Sequence, residues 1–124
     1  MRMKGPMGRP GMEFAITRMA FDEQVRMILA LTSSRPMTVR LIAEGVSLPL
    51  DRAYHLVRTM SSLGMLRKVR LPNSYVNTYS ANVKTIDFRI EQDCLGIVVV
   101  FEDGGRTSME IGSSKAQVDA LQVQ

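Results

Sequence analysis

The chain has 124 residues, enough for one domain or a domain with a short appendage, and its 45% hydrophobic and 23% charged content excludes a disordered or fibrous protein. Sixteen Lys and Arg against twelve Asp and Glu leave a net charge of +4, and the single cysteine excludes an intrachain disulfide framework and suits a reducing cytoplasm. The longest apolar run falls within Leu95 to Phe101, well short of the roughly 20 residues that span a bilayer, and the basic start MRMKGPMGRPGMEF lacks the apolar core of a secretory signal. These features predict a small cytoplasmic protein with no membrane partner.

Residues 1–12 combine Met, Gly, Pro and Arg without periodicity and read as a mobile basic tail. From there to Ser33 the pattern is helical, with Asp22 as an N-cap and Val25, Ile28, Leu29 and Thr32 on one face. Ser33, Ser34 and Pro36 break it. Thr38 is the next N-cap, opening a short helix predicted to turn Leu41, Ile42 and Gly45 inward. A turn through Val46, Ser47 and Leu48 leads to Pro49 and a third helix, which carries Ala53, Leu56, Val57, Met60 and Leu63 on one stripe and ends at Gly64. The period then changes from 3.6 to 2. Met65–Leu71 and Ser74–Ser80 read as strands of a hairpin turning at Pro72 and Asn73. Ile86, Phe88 and Ile90 alternate with Asp87, Arg89 and Glu91 as a half-buried strand. Leu95–Phe101 is apolar on both faces, Asp103, Gly104 and Gly105 form a turn, and Arg106–Ile111 returns as a last strand. Val118 and Leu121 suit a short amphipathic helix in the last dozen residues.

Dividing the charge along the chain sharpens it. Residues 1–85 hold thirteen basic and five acidic side chains, a net +8, whereas residues 86–124 hold three basic and seven acidic, a net −4. Residues 61–85 contain Arg67, Lys68, Arg70 and Lys84 with no acidic residue. Such a stripe suits a polyanion whose counterions are released on binding, and it equally suits a solvated face that aids solubility.

Three helices followed by a β-hairpin is the winged helix-turn-helix order, so the predicted class is α+β. It comprises three helices plus a β-hairpin wing within 13–82 and a C-terminal β-hairpin or meander extension over 83–124. Two helices crossing through a tight turn need a small residue where they touch, and Ala43 holds that place. Ile42, Leu48, Ala53 and Leu56 would lock the crossing. Most helix-turn-helix members place Gly four residues after that Ala, where the chain favours a left-handed conformation; Ser47 stands at this position here, at a cost of roughly 1 kcal/mol if it keeps the same φ.

The run RPMTVRLIAEGVSLPLDRAYHLVRTMSSLGMLRK resembles the small archaeal winged helix-turn-helix regulators related to the arsenical-repressor superfamily. The likeness rests on a Pro before the second helix, "PL..AY" at the start of the third and "LG.L" entering the wing. It extends at the level of pattern through Tyr79 into IDFRIEQDCLGIVVVFEDG, covering about residues 22–111. The resemblance implies that the third helix (about 49–63) enters the DNA major groove and presents Asp51, Arg52, Tyr54, His55, Arg58 and Thr59. Arg52 and Arg58 would reach guanine or phosphate, and Tyr54 and His55 backbone or base edges, while Asp51 would repel phosphate unless it accepts from cytosine or pairs with Arg52. Arg35, Thr38 and Arg40 flank the second helix near a phosphate. Arg67, Lys68, Arg70 and Asn73 of the wing (about 64–80) suit backbone or minor-groove contact.

The metal-sensing branch of those regulators uses Cys pairs or His/carboxylate clusters. His55 and Cys94 lie about forty residues apart without companions at ligand spacing, so no metal or cofactor is expected and Cys94 reads as a small packing residue or a hairpin-turn thiol. A lone His offers no nucleophile–base set, and GGRTS lacks the spacing and Lys of a phosphate loop, so no enzyme is expected. The function expected is a sequence-specific DNA-binding transcription regulator acting on double-stranded DNA as a homodimer, with any effector unassigned. The apolar 95–101 strand would be covered at a subunit contact or by Phe14, Ile16 and Phe21. The alternative is a winged-helix module that docks another protein through the same surface.

Overall fold

The computed structural model describes residues 10–112 as an α+β chain: α1 (Pro10–Ala20), α2 (Glu23–Thr32), α3 (Val39–Gly45) and α4 (Leu50–Ser62), then β1 (Leu66–Val69), β2 (Thr78–Ala81), β3 (Val83–Glu91), β4 (Cys94–Phe101) and β5 (Arg106–Gly112). β1 and β2 form one antiparallel sheet, and β3–β4–β5 form a second in that order. The expected helix around Val118 and Leu121 lies outside the described residues. α1 begins at Pro10, so positions 10–12 of the expected tail are helical.

The caps read from the sequence are present. Asp22 accepts from the N–H of Gln24 at 2.8 Å and starts α2, separating it from α1; Val25, Ile28, Leu29 and Thr32 are buried beneath it. Thr38 accepts from the N–H of Leu41 at 3.2 Å and starts α3. The inner face of α3 differs from expectation. Val39, Ile42, Ala43 and Val46 are buried, while Leu41 is 43% exposed and Gly45 is open to solvent. The i, i+3, i+4, i+7 set of this seven-residue helix starts at Val39, which rotates Leu41 outward. A Cβ at Gly45 would stand 2.5 Å from Leu31 Cδ2 on α2, the far end of a half-buried side chain that can turn aside.

Two helix ends use the same device. After α3, the N–H of Leu48 donates to Ala43 O at 2.9 Å and that of Ser47 to Glu44 O at 3.3 Å; after α4, Met65 donates to Met60 O at 2.9 Å and Gly64 to Ser61 O at 3.1 Å. Both are Schellman closures, which place the residue after the cap in the left-handed region. Gly64 meets this with φ 78 at no steric cost, whereas Ser47 does so with φ 57 and a Cβ. Ala53, Leu56, Val57, Met60 and Leu63 of α4 are all buried, the stripe expected of it.

The first hairpin is shorter than predicted. Pairing runs from Leu66↔Ala81 to Val69↔Thr78, and residues 70–77 form a loop instead of the ends of two strands meeting at Pro72–Asn73. Pro72 has no donor, Asn73 turns left-handed at φ 59, and Ser74 Oγ accepts from the N–H of Val76 at 3.2 Å. The Thr78 hydroxyl donates to Val69 O and closes the ladder. Met37 adds a bridge on the other side of β2, exchanging hydrogen bonds of 2.9 and 2.8 Å with Tyr79.

Asn82 links β2 to β3. The β3–β4 turn is the two-residue Gln92–Asp93 loop, with Gln92 at φ 54, and residues 102–105 turn β4 into β5 as the Asp-Gly-Gly signal predicts. α1 lies on β4 and β5, burying Ile16, Thr17 and Ala20 against Ile97, Val99 and Thr107. Ile16 therefore covers the apolar strand as expected, but Phe14 is 52% exposed and Phe21 sits at the rim, its ring 5.6 Å from that of Phe88. β4 is buried on one face only, since Val98 and Val100 are half-buried. The expected burial of β3 also fails beyond Ile86. Phe88 is 44% and Ile90 80% exposed, because α1 rests on the two strands farther from them.

Replacing Ser47 by Gly is expected to raise the free energy of unfolding by up to about 1 kcal/mol, and Ser47→Val to lower it by about 1–2 kcal/mol, read from urea midpoints at unchanged slope.

Candidate nucleic-acid interface

The outward face of α4 follows from the stripe it buries. With Ala53, Leu56, Val57 and Met60 inside, Asp51, Arg52, Tyr54, His55 and Arg58 are exposed, and Thr59 is half-buried. Tyr54 and Arg58 are one turn apart on the same line, as are Asp51 and His55. Pro49 caps α4 without a side-chain hydrogen bond, and the carboxylate of Asp51 accepts from the N–H of Arg52 at 2.9 Å. It stands where the helix dipole favours negative charge. The Thr59 hydroxyl donates to His55 O at 3.0 Å, so its proton is used within the helix.

α3 packs against α4, and α4 packs on β1. Arg40 is exposed on α3 and Arg35 in the segment before it. Thr38 is half-buried and serves as the α3 cap, so its structural role is plain from geometry. Arg67 and Lys68 are both exposed on β1 but are adjacent in a strand, so the pleat sends them to opposite faces and only one shares a face with any given partner. Arg70 is exposed in the 70–77 loop, and Asn73 is exposed with the left-handed backbone that forms the turn.

Three exposed residues escaped the sequence reading. Tyr75 is 99% exposed, Val76 56% and Leu71 38%, all in the hairpin loop. The signal was the run of turn residues around Tyr75, which pointed to a loop longer than two residues.

Cys94 stands beside the β3–β4 turn with its Sγ 3.6 Å from Glu110 Oε1. Partial burial, then the charge and hydrogen bond of Glu110, then the charges of Asp93 and Glu91, push its thiol above the ordinary range. A thiol held protonated is a poor nucleophile and a poor metal ligand. Among the described residues no group of three or more His, Cys, Asp or Glu is arranged to hold a metal ion. An open concavity of about 620 Å³ lies on the polar face of the β3–β4–β5 sheet, lined by Asp87, Arg89, Glu91, Arg106 and Glu110 among others. It mixes both signs of charge and lies on elements other than α4 and the first hairpin. No helix among the described residues is long and apolar enough to cross a membrane.

Alkylation of Cys94 by a maleimide is expected to be slower at pH 7.5 than that of a free cysteine, with a higher pH midpoint. Glu110→Gln should lower that midpoint, since it removes the nearest negative charge; an unchanged midpoint would show that burial alone acts.

A scan against protein-family models finds no match for this chain, and a search of curated proteins finds none.

Proposed function

We propose that the chain is a sequence-specific DNA-binding transcription regulator of the winged helix-turn-helix type, acting as a homodimer in the cytoplasm, in the manner of the small archaeal regulators its sequence resembles. α2, α3 and α4 are its helical unit, α4 its recognition helix and β1–β2 with the 70–77 loop its wing. The observation that carries the reading is the outer face of α4. A helix locked by a fully buried stripe presents Arg52, Arg58, Tyr54 and His55 to solvent, directly before a segment, 61–85, that holds four basic and no acidic residues. An α-helix fits the major groove, Arg can donate two hydrogen bonds to guanine, and basic wing residues neutralise phosphates.

Exposed apolar side chains at the hairpin tip favour the second reading, a protein-docking module. Tyr75 with Val76 and Leu71 offers a partner apolar contact that phosphate would not need.

A mobility shift with fragments selected from a random DNA pool, repeated over a salt series, separates the two. The regulator reading expects log affinity to fall with log salt at about −0.9 per phosphate contact. It also expects Arg52→Ala with Arg58→Ala to weaken binding more than tenfold with the fold intact. Flat salt dependence and no preferred fragment would leave the docking reading in its place. Asp51→Asn is expected to tighten binding to all fragments several-fold and to narrow the preference among them, because it removes a charge that repels phosphate without removing a hydrogen-bonding group.

A further inference from the structure

β3 is the feature that the DNA-binding reading leaves unused. It is an edge strand, bonded to β4 on one side, and among the described residues no strand pairs with its other side. A nine-residue edge of this kind displays unpaired N–H and C=O groups, which proteins ordinarily guard with charges, bulges or a covering element. The register shift between Val83 and Thr85 guards one end, leaving Thr85–Glu91 as a regular stretch. On one face of that stretch stand Ile86, Phe88 and Ile90, of which Phe88 is 44% and Ile90 80% exposed. Phe21 at 5.6 Å and the guanidinium of Arg26 at 6.0 Å flank the Phe88 ring without covering it. On the other face stand Asp87, Arg89 and Glu91.

The order of these residues makes the strand complementary to itself. When two copies pair antiparallel about a two-fold axis with their faces matched, the axis passes through a residue. Through Phe88, Phe88 meets Phe88 of the second copy, Ile86 meets Ile90, and Asp87 meets Arg89 twice, with Thr85 opposite Glu91. The neighbouring registers fail. An axis through Asp87 opposes two Asp87 carboxylates; one through Arg89 opposes two guanidinium groups and sets Asp87 against Glu91. An axis through Ile86 sets Lys84 against Phe88 beside the bulge, and one through Ile90 runs into the Gln92–Asp93 turn. Cross-strand apolar and opposite-charge pairs stabilise a ladder and like charges directly opposite destabilise it, so one register is selected.

The geometry points to β3 as a homodimer interface: two copies join edge to edge through Thr85–Glu91 with Phe88 on the two-fold axis, forming a continuous six-stranded sheet. This deepens the dimer part of the proposed function and is tested without DNA, so that loss of pairing and loss of DNA binding are read separately. In sedimentation velocity the full chain is expected to be a dimer at tens of micromolar. Arg89→Asp and Asp87→Arg should each weaken association at least tenfold, because each creates two like-charge pairs. Mixing the two variants in equal amounts should restore the dimer, since the mixed pair has opposite charges at both positions. A monomeric wild type at several hundred micromolar would overturn the interface, as would single variants that stay dimeric or a mixture that stays monomeric with its components folded by circular dichroism. Should a charge variant fail to fold, position 88 gives a second measurement. In a Cys94→Ser background, Phe88→Cys should cross-link between copies with a short bis-maleimide at least ten times faster than Lys84→Cys, because a residue on the axis faces itself at roughly 5 Å. Equal rates would overturn the register.

Discussion

The two sheets are joined by one residue, and its hydrogen bonds decide how the rest can sit. Asn82 follows the last residue of β2 and precedes the first of β3. Its N–H donates to Met65 O at 2.9 Å and its carbonyl accepts from the N–H of Glu102 at 2.9 Å. Its side-chain amide donates to Gly64 O at 2.9 Å. One residue thus binds the end of α4, the entry to β1 and the end of β4. Each such bond contributes only about 1 kcal/mol, but together they deny the joint the rotation that a one-residue linker would otherwise have. The apolar core accordingly runs without a break from Ile28, Ile42 and Met60 of the helices to Ile97 and Val99 of β4, with Ile16 and Ala20 of α1 closing it.

At this junction the C-terminus of α4 closes on a glycine, Gly64 at φ 78. The Schellman closure at Gly64 directs the chain into β1 and leaves its carbonyl turned toward Asn82. At the end of α3 the identical closure is made by Ser47, and the strain there falls in the turn that sets the crossing of α3 and α4. The face α4 presents is a consequence of its buried stripe: with Ala53, Leu56, Val57 and Met60 inside, Arg52 and Arg58 fall on the outward side.

Local chemistry was legible in the residues; pairing between distant segments was not. Asp22 and Thr38 announced themselves as caps because a side chain and an N–H two or three residues on suffice to make them, and the α4 stripe was plain because thirteen residues carry its period. The seven residues of α3 carry too little, and Leu41 was assigned to the wrong face. The Met37–Tyr79 bridge joins residues 42 positions apart and leaves no mark on either segment. Alternation in β3 correctly marked a strand with an apolar face, yet alternation cannot say what covers that face. α1 reaches β4 and β5 and stops short of Ile90. Of the proposed site, the exposure of Arg52, Arg58 and Tyr54 followed from periodicity, as did the opposed directions of Arg67 and Lys68, whereas the early end of the β1–β2 ladder at Val69 and Thr78 needed the strand register.

Charge divides three residues past the joint at Asn82, inside β3, with a net +8 over residues 1–85. Residues 86–124 carry a net −4, although the polar face of the β3–β4–β5 sheet sets Arg89 and Arg106 among Asp87, Glu91 and Glu110. Within α4 the one acidic residue is Asp51. Its position in the first turn of α4 stabilises the helix through the dipole, and its bond to the N–H of Arg52 keeps it there. In the proposed complex the carboxylate repels the nearby phosphates whatever the sequence but can accept from the exocyclic amine of cytosine in the major groove. A residue that weakens all sites and rewards a few raises the ratio between them, and for a short helix reading few base pairs that ratio matters more than affinity itself.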